Sequence, residues 1–190
     1  MKQLGGSYYT EEELLSAGLK KIGKNVKIHN RASLYGVENM EIGDHVRIDD
    51  FTVIIATGSL IIGNYVSIPN FCFLGAKNGI RLGNFVTFAP GVKIFSASDD
   101  YEGYRMTGVS VPAEMTGGNH APVEIGDHVI IGSGSIVLPG CNLAAGCAVG
   151  ALSLVKADLA EWGVYAGVPA VRIKDRKQNL MQYAELLTPK

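Results

Sequence analysis

A five-residue signature recurs along this chain at a fixed interval of 20 residues: Ile22-Gly23-Lys24-Asn25-Val26, Ile42-Gly43-Asp44-His45-Val46, Ile62-Gly63-Asn64-Tyr65-Val66 and Leu82-Gly83-Asn84-Phe85-Val86. So strict an interval makes the fold a stack of similar units. Inside each unit a large apolar residue returns every six positions, as at Ile42, Ile48 and Ile54, with two residues left over. The register resumes at Ile125-Gly126-Asp127-His128-Val129 and runs without surplus through Ile131, Val137, Leu143, Val149 and Val155, giving eighteen hexapeptides. Four positions after each anchor stands Val, Ala, Ser, Thr, Cys or Gly, except at Glu38, Asn78 and Leu159.

A period of six is neither helical nor a plain alternation, but it suits short strands broken by turns, with anchors and small residues on the inner side. Three strands and three turns close a triangular coil. Stacking coils about 4.8 Å apart pairs every backbone N–H and C=O with the coil above or below. The chain therefore reads as all-β, a parallel β-helix shaped as a triangular prism. Its register predicts Cys72, Cys141 and Cys147 inside, as buried small hydrophobes, and His29 and His45 on the outer surface.

The ends and one interruption depart from the ruler. Thr10-Glu11-Glu12-Glu13 reads as a capping box opening a short helix, so residues 1–21 form an N-terminal helical cap. Residues 172–190 read as a C-terminal helix with Leu180, Tyr183, Ala184 and Leu187 on one stripe. Between them the β-helix domain spans 22–171, interrupted by an inserted loop at 99–124 that has no anchor register but is rich in Tyr, Arg, Met and His. A long loop on a regular scaffold is where function tends to sit.

Composition narrows the classes further. Seventeen Lys plus Arg against eighteen Asp plus Glu give a net charge of −1, which offers no electrostatic case for nucleic acid. There is no apolar run long enough for a membrane span and no hydrophobic leader core, so a cytoplasmic location is expected. Three cysteines without a CxxC spacing suggest neither a disulfide framework nor a zinc site, and no metal is expected.

The repeat, together with Pro139-Gly140, the segment Val149-Gly150-Ala151-Leu152-Ser153-Leu154-Val155-Lys156 and the tail Tyr165-Ala166-Gly167-Val168-Pro169-Ala170, resembles the hexapeptide-repeat acyltransferases. The C-terminal half is similar to their sugar O-acetyltransferase and xenobiotic acetyltransferase branches. Phe95-Ser96-Ala97-Ser98-Asp99-Asp100-Tyr101 resembles acetyltransferases of bacterial surface-polysaccharide pathways. The resemblance implies a left-handed β-helix, a homotrimer with active sites between subunits, and acetyl-CoA as co-substrate. It places coenzyme contacts at Ser133, Gly150, Ala151, Ser153 and Lys156 and at the Gly167, Pro169 and Ala170 turn. Arg172 and Lys174 are suited to its phosphates as charge-assisted donors. The competing reading of Gly150 and Ser153 is that they serve coil geometry alone.

In that family a catalytic His stands about where this chain has Asp99. Attack on a thioester by a hydroxyl or amine calls for a proton acceptor, and His lies nearest neutral pKa. His120 and His128 are therefore the candidate bases, with Asp99 or Asp100 orienting the base, binding the acceptor or, for an amine acceptor, holding the ammonium. Tyr101, Tyr104 and Arg105 are candidates to close over the acceptor, and Asn70 to bind sugar hydroxyls.

The first expectation is O-acetylation of a sugar of a surface polysaccharide or its precursor. The alternative is N-acetylation of a nucleotide-linked amino sugar, followed by acetylation of an antibiotic. A γ-type carbonic anhydrase would need three His converging on zinc, and the four His here are spaced unlike that ligand set. A non-catalytic β-helix scaffold is the reading from a different class, but it needs neither the loop nor the Val-Pro-Ala tail.

Overall fold

A computed structural model describes residues 5–187. The strands build a prism of three parallel faces. The first face stacks Lys21–Ile22, Met40–Ile42, Leu60–Ile62, Ile80–Leu82, Val123–Ile125 and Asn142–Leu143. The second runs from Lys27–Ile28 through Gly163–Ala166 to Val171–Asp175, and the third from Ser33–Tyr35 to Leu154–Val155. Register follows the sequence ruler: Ile42 pairs with Ile62, Ile54 with Leu74, and Leu74 with Ile94. Sixteen of the eighteen anchors are buried and form one axial column, with Ile22 and Leu34 half-covered at the open end. Each fully buried Ile or Leu contributes roughly 1.5–3 kcal/mol of transfer free energy. The three cysteines lie inside as expected, and burial pushes the Cys72 thiol up to about 11, which makes it a poor nucleophile.

The signature itself is explained at the corner between the first and second faces. Gly43 is required because a Cβ there would meet the Gly63 carbonyl oxygen at 2.7 Å and Asn64 Oδ1 at 2.6 Å. The next residue accepts a backbone N–H from the preceding coil: Asp44 from Lys24 at 2.7 Å, Asn64 from Asp44 at 2.7 Å, Asn84 from Asn64 at 2.9 Å and Asp127 from Asn84 at 2.6 Å. The residue after that adopts left-handed backbone, φ +57° at His45, Tyr65 and Phe85 and +60° at His128. This conformation is disfavoured for such side chains, and here stacking offsets it. The rings of His45, Tyr65, Phe85 and His128 form a continuous outer ladder with centroids 4.6–5.0 Å apart, and Trp162 follows at 6.4 Å.

The surplus pair of each early coil sits at the corner between the third and first faces, where anchors such as Leu74 and Leu82 are eight positions apart. Glu38 and Asn78, two of the three exceptions to the small-residue rule, fall there and point outward. The 99–124 insertion leaves from this same corner one coil later, and Ile80–Leu82 still pairs directly with Val123–Ile125 across it.

Both ends differ in part from expectation. The N-terminal helix α1, Glu11–Ser16, has the full capping box between Thr10 and Glu13. Ahead of it, Tyr9 N–H donates to Ile28 O at 2.9 Å and Asn30 N–H to Ser7 O at 2.8 Å, so the leading segment pairs along the first coil. Tyr8 thereby covers His29, ring edge to ring face at 5.4 Å, and His29 is 6% exposed instead of lying on the surface; His45 is exposed as expected. At the other end, Arg172 and Lys174 are not helical. Val171–Asp175 is a strand folded back antiparallel on Gly163–Ala166, and the helix α2, Met181–Leu187, begins only after it. The free edge of the last coil strand outcompetes local helix propensity there. The stripe of Leu180, Tyr183, Ala184 and Leu187 lies over Phe85 and His128 of the aromatic ladder.

Candidate functional site

The insertion is built as an antiparallel hairpin, Ala97–Asp99 with Gly118–His120, carrying an exposed excursion at its tip. Ser96 roots it. Its buried hydroxyl donates to Gly75 O at 2.9 Å and accepts Asn78 N–H at 2.9 Å. The return strand is tied to the next coil where Asn119 Nδ2 donates to Pro139 O at 3.4 Å. Gly118 sits opposite Asp99 with φ +147°, and a Cβ there would overlap the Ser98 carbonyl oxygen and approach Asp99 Cα at 2.9 Å.

Between hairpin and excursion lies a cavity of about 540 Å³, within the range of roughly 300–1,000 Å³ usual for small-molecule sites. Asp99, Asp100, Tyr101, Tyr104 and Arg105, all candidates from the sequence, line it together. Ser98, Glu102, Gly118 and Asn119 complete the wall. These four were not read as site residues, although Gly117-Gly118 is the signal that the excursion turns back at that point. A second cavity of about 410 Å³, at the open first coil, is mostly apolar; its one carboxylate, Glu13, is spent on the capping box.

The two aspartates have different fates. Asp100 organises its own loop: Oδ1 accepts N–H groups of Glu102 at 2.8 Å and Gly103 at 3.1 Å, and Oδ2 accepts that of Arg105 at 2.6 Å. The Glu102 amide leads the backbone donors that hold its carboxyl below the usual carboxylate range, so the Asp100 oxygens are spent on its own turn. The Asp99 carboxylate is exposed and has no hydrogen-bond or ion-pair partner among the described residues.

The two histidines also separate. His120 pairs across the hairpin with Ala97 and is exposed beside the cavity without lining it. His128 belongs to another corner, stacked on Phe85 at 4.9 Å in the ladder, where burial pushes its pKa down, Asp127 pulls it up and Arg176 adds to the lowering. Its geometry is that of a ladder rung, away from the hairpin cavity.

The expected coenzyme contacts fall mostly in one row at the corner between the second and third faces of the last coils. Ser133 and Ala151 are exposed there, Leu152 N–H donates to Ser133 O at 2.9 Å, and the Gly167–Ala170 turn closes the row. Gly150 gives room: a Cβ on it would press Ala166 Cβ at 3.0 Å. Ser153 is a coil residue, 2% exposed, its hydroxyl donating to Gly150 O at 2.8 Å and accepting Gly167 N–H at 3.1 Å, so it is spent inside. Arg172 is likewise engaged, by Asp175 at 2.8 Å and the Tyr165 hydroxyl at 3.1 Å. Lys174 is exposed on the return strand and Lys156 at the corner from which the hairpin leaves, two coils further on and away from the row. Asn70 lies on the row's corner but in an earlier coil, apart from the hairpin cavity. Among the described residues no cluster of His, Cys, Asp and Glu could hold a metal ion, and no helix is long and apolar enough to cross a membrane.

No family model matches the chain. It is 39% identical over 184 residues to the dTDP-4-amino-4,6-dideoxy-D-glucose acyltransferase of Escherichia coli, covering 96% of each. It is 35% identical, with a TM-score of 0.92 and coverage of 96% and 97%, to AntD, an N-acyltransferase from Bacillus cereus solved with dTDP and 3-hydroxybutyryl-CoA. A hexapeptide-repeat containing acetyltransferase from Vibrio cholerae shares the fold at 19% identity, with a TM-score of 0.59 and coverage of 89% and 82%. Both full-length relatives are acyltransferases, and AntD is an N-acyltransferase.

Proposed function

The chain belongs to the hexapeptide-repeat acyltransferases, and from that premise we propose that it moves the acyl group of a coenzyme A thioester onto the amine of a nucleotide-linked amino sugar. What carries this reading is the Asp99 carboxylate, left unpaired at the wall of the hairpin cavity. A sugar amine arrives largely as an ammonium, and a carboxylate is the group that holds it and takes its proton. Freed of that proton, the nitrogen attacks the thioester carbonyl carbon, the C–N bond forms, the C–S bond breaks, and coenzyme A leaves as the thiolate, taking up a proton equivalent to the second one the nitrogen sheds on becoming an amide. The small-residue row from Ser133 to Ala170 suits an extended pantetheine lying against the backbone, and Lys174 on the return strand is an exposed cation with no ion-pair partner among the described residues.

The row and the cavity occupy the two corners that bound the third face. That face turns a half-covered apolar row outward, including Val53, Ile55, Phe73, Phe95, Ile136 and Leu154. A second copy laid on this face would bury the row and bring the coenzyme corner of one subunit toward the hairpin of the next. This supports a homotrimer with its sites between subunits.

The test is acceptor-dependent thiol release from acetyl-CoA and 3-hydroxybutyryl-CoA. The expected acceptor is a dTDP-linked 4-amino-4,6-dideoxyhexose, with dTDP-glucose silent; release with the hydroxyl acceptor alone would return the O-acetyl reading. Asp99→Asn is expected to lower turnover by about 10²–10⁴-fold, while His120→Ala stays near parental. The reverse pattern would make His120 the base.

A further inference from the structure

The wall of the hairpin cavity carries three carboxylates, Asp99, Asp100 and Glu102, and one guanidinium, that of Arg105. Among the described residues none of the three forms an ion pair with Arg105; Asp100 is spent on backbone amides, and the Asp99 and Glu102 carboxylates have no partner. Yet the Arg105 side chain is not loose. Its backbone N–H is fixed by Asp100 at 2.6 Å, and its Cβ and Cγ cover Gly117, where an added Cβ would meet them at 2.8 and 2.7 Å. At the far end Nη1 donates to Glu114 O at 3.1 Å. The side chain is held at its root and at Nη1, and the other guanidinium N–H groups have no partner among the described residues.

A fixed guanidinium with donors to spare matches the oxygens of a phosphate, which it meets with parallel N–H bonds. An amino sugar alone offers only a cation, for which Asp99 suffices. An amino sugar on a nucleoside diphosphate offers a cation at one end and a dianionic diphosphate at the other, which is the polarity of this cavity. We infer that Arg105 is the diphosphate anchor of the acceptor site and sets the preference for nucleotide-linked over free amino sugars, an inference that rests on the amine reading above. Asp100 serves this anchor indirectly, because its bond to the Arg105 amide sets where the side chain starts.

The test uses the whole protein, with dTDP as a binding probe and the amino sugar offered both as its dTDP conjugate and as its methyl glycoside. In Arg105→Gln the Kd for dTDP and the KM for the conjugate are expected to rise about 10–100-fold, the size of a lost charge-assisted contact. The kcat and the KM for acyl-CoA should stay within about twofold, and the methyl glycoside should be acylated equally by parent and variant, as for a lost uniform-binding contact. Arg105→Lys should recover part of the binding, because it restores a point charge without the fork. Unchanged dTDP affinity in Arg105→Gln, or a parent that binds no dTDP, would overturn the anchor. Because dTDP binding is read without turnover, a parent that binds dTDP through Arg105 but acylates no amine would sink the amine reading and leave the anchor standing.

Discussion

The coils and the hairpin treat polar side chains in opposite ways. Along the ladder corner Asp44, Asn64, Asn84 and Asp127 each accept a backbone N–H of the coil before, and the pattern repeats because each coil presents the same need. In the insertion Asp99 is placed by the hairpin's backbone pairing and Arg105 by the Asp100 carboxylate on its amide, while the Asp99 carboxylate and the Arg105 guanidinium N–H groups other than the one on Glu114 O are left open. A carboxylate that satisfies a neighbouring coil is structure, whereas one held in place and left unsatisfied has chemistry to offer. The same contrast divides Asp100, spent on three backbone amides, from its neighbour Asp99.

The contrast breaks most sharply in the column. Leu74 is fully buried between Ile54 below and Ile94 above. Leu74→Ala leaves a cavity that stacked strands cannot close, and should cost about 2–5 kcal/mol. The expected reading is a lower urea midpoint with an unchanged slope. Turnover per folded molecule should hold, because the column and the hairpin spend their groups independently. A variant that keeps its midpoint would show that neighbouring coils shift to refill the column.

Gly118→Ala reverses that division. The added methyl collides with the Ser98 carbonyl and shifts the strand that carries Asp99, without touching any anchor. Turnover is expected to fall about 10–100-fold, the penalty for misplacing a reacting group by an ångström or less. The thermal midpoint should move by no more than about 4 °C. A large loss of midpoint with normal turnover per folded molecule would make the hairpin part of the stability core and not a separate platform.

The sequence disclosed the coils almost completely, because the requirement at Ile42 recurs at Ile62 and Leu82 and repetition makes it visible. It disclosed less where a residue's role depends on a partner met once. His29 looked outward by register, and only the crossing of Ser7–Tyr9 covers it. Arg172 looked helical because a bare strand edge, invisible in local composition, captures it. Ser153 and Asp100 were legible as polar residues near function, but where their oxygens point was not. The signal that did carry through was the break in the ruler, since an insertion free of the register is free to hold unsatisfied groups.

His128 gives the smallest effect, since it is a group with site chemistry used as a rung. It stacks on Phe85, and Asp127, Arg176 and Tyr183 are the ionisable groups around it. Burial leads in lowering its pKa, the Arg176 charge adds to this, and Asp127 opposes. The folded protein therefore binds its proton more weakly than the unfolded chain does, so stability is fully present above the unfolded value of 6.5. It declines as pH falls from there toward the folded pKa and levels off below it. His128→Asn keeps a residue that tolerates left-handed backbone but removes the titration, so the variant should lose this acid slope in denaturation midpoints taken across that window. The ring lies in the ladder and outside the hairpin cavity, so turnover near neutral pH should stay close to the parent's. If instead the slope persisted and turnover collapsed, His128 would move from the coils' side of the comparison to the hairpin's.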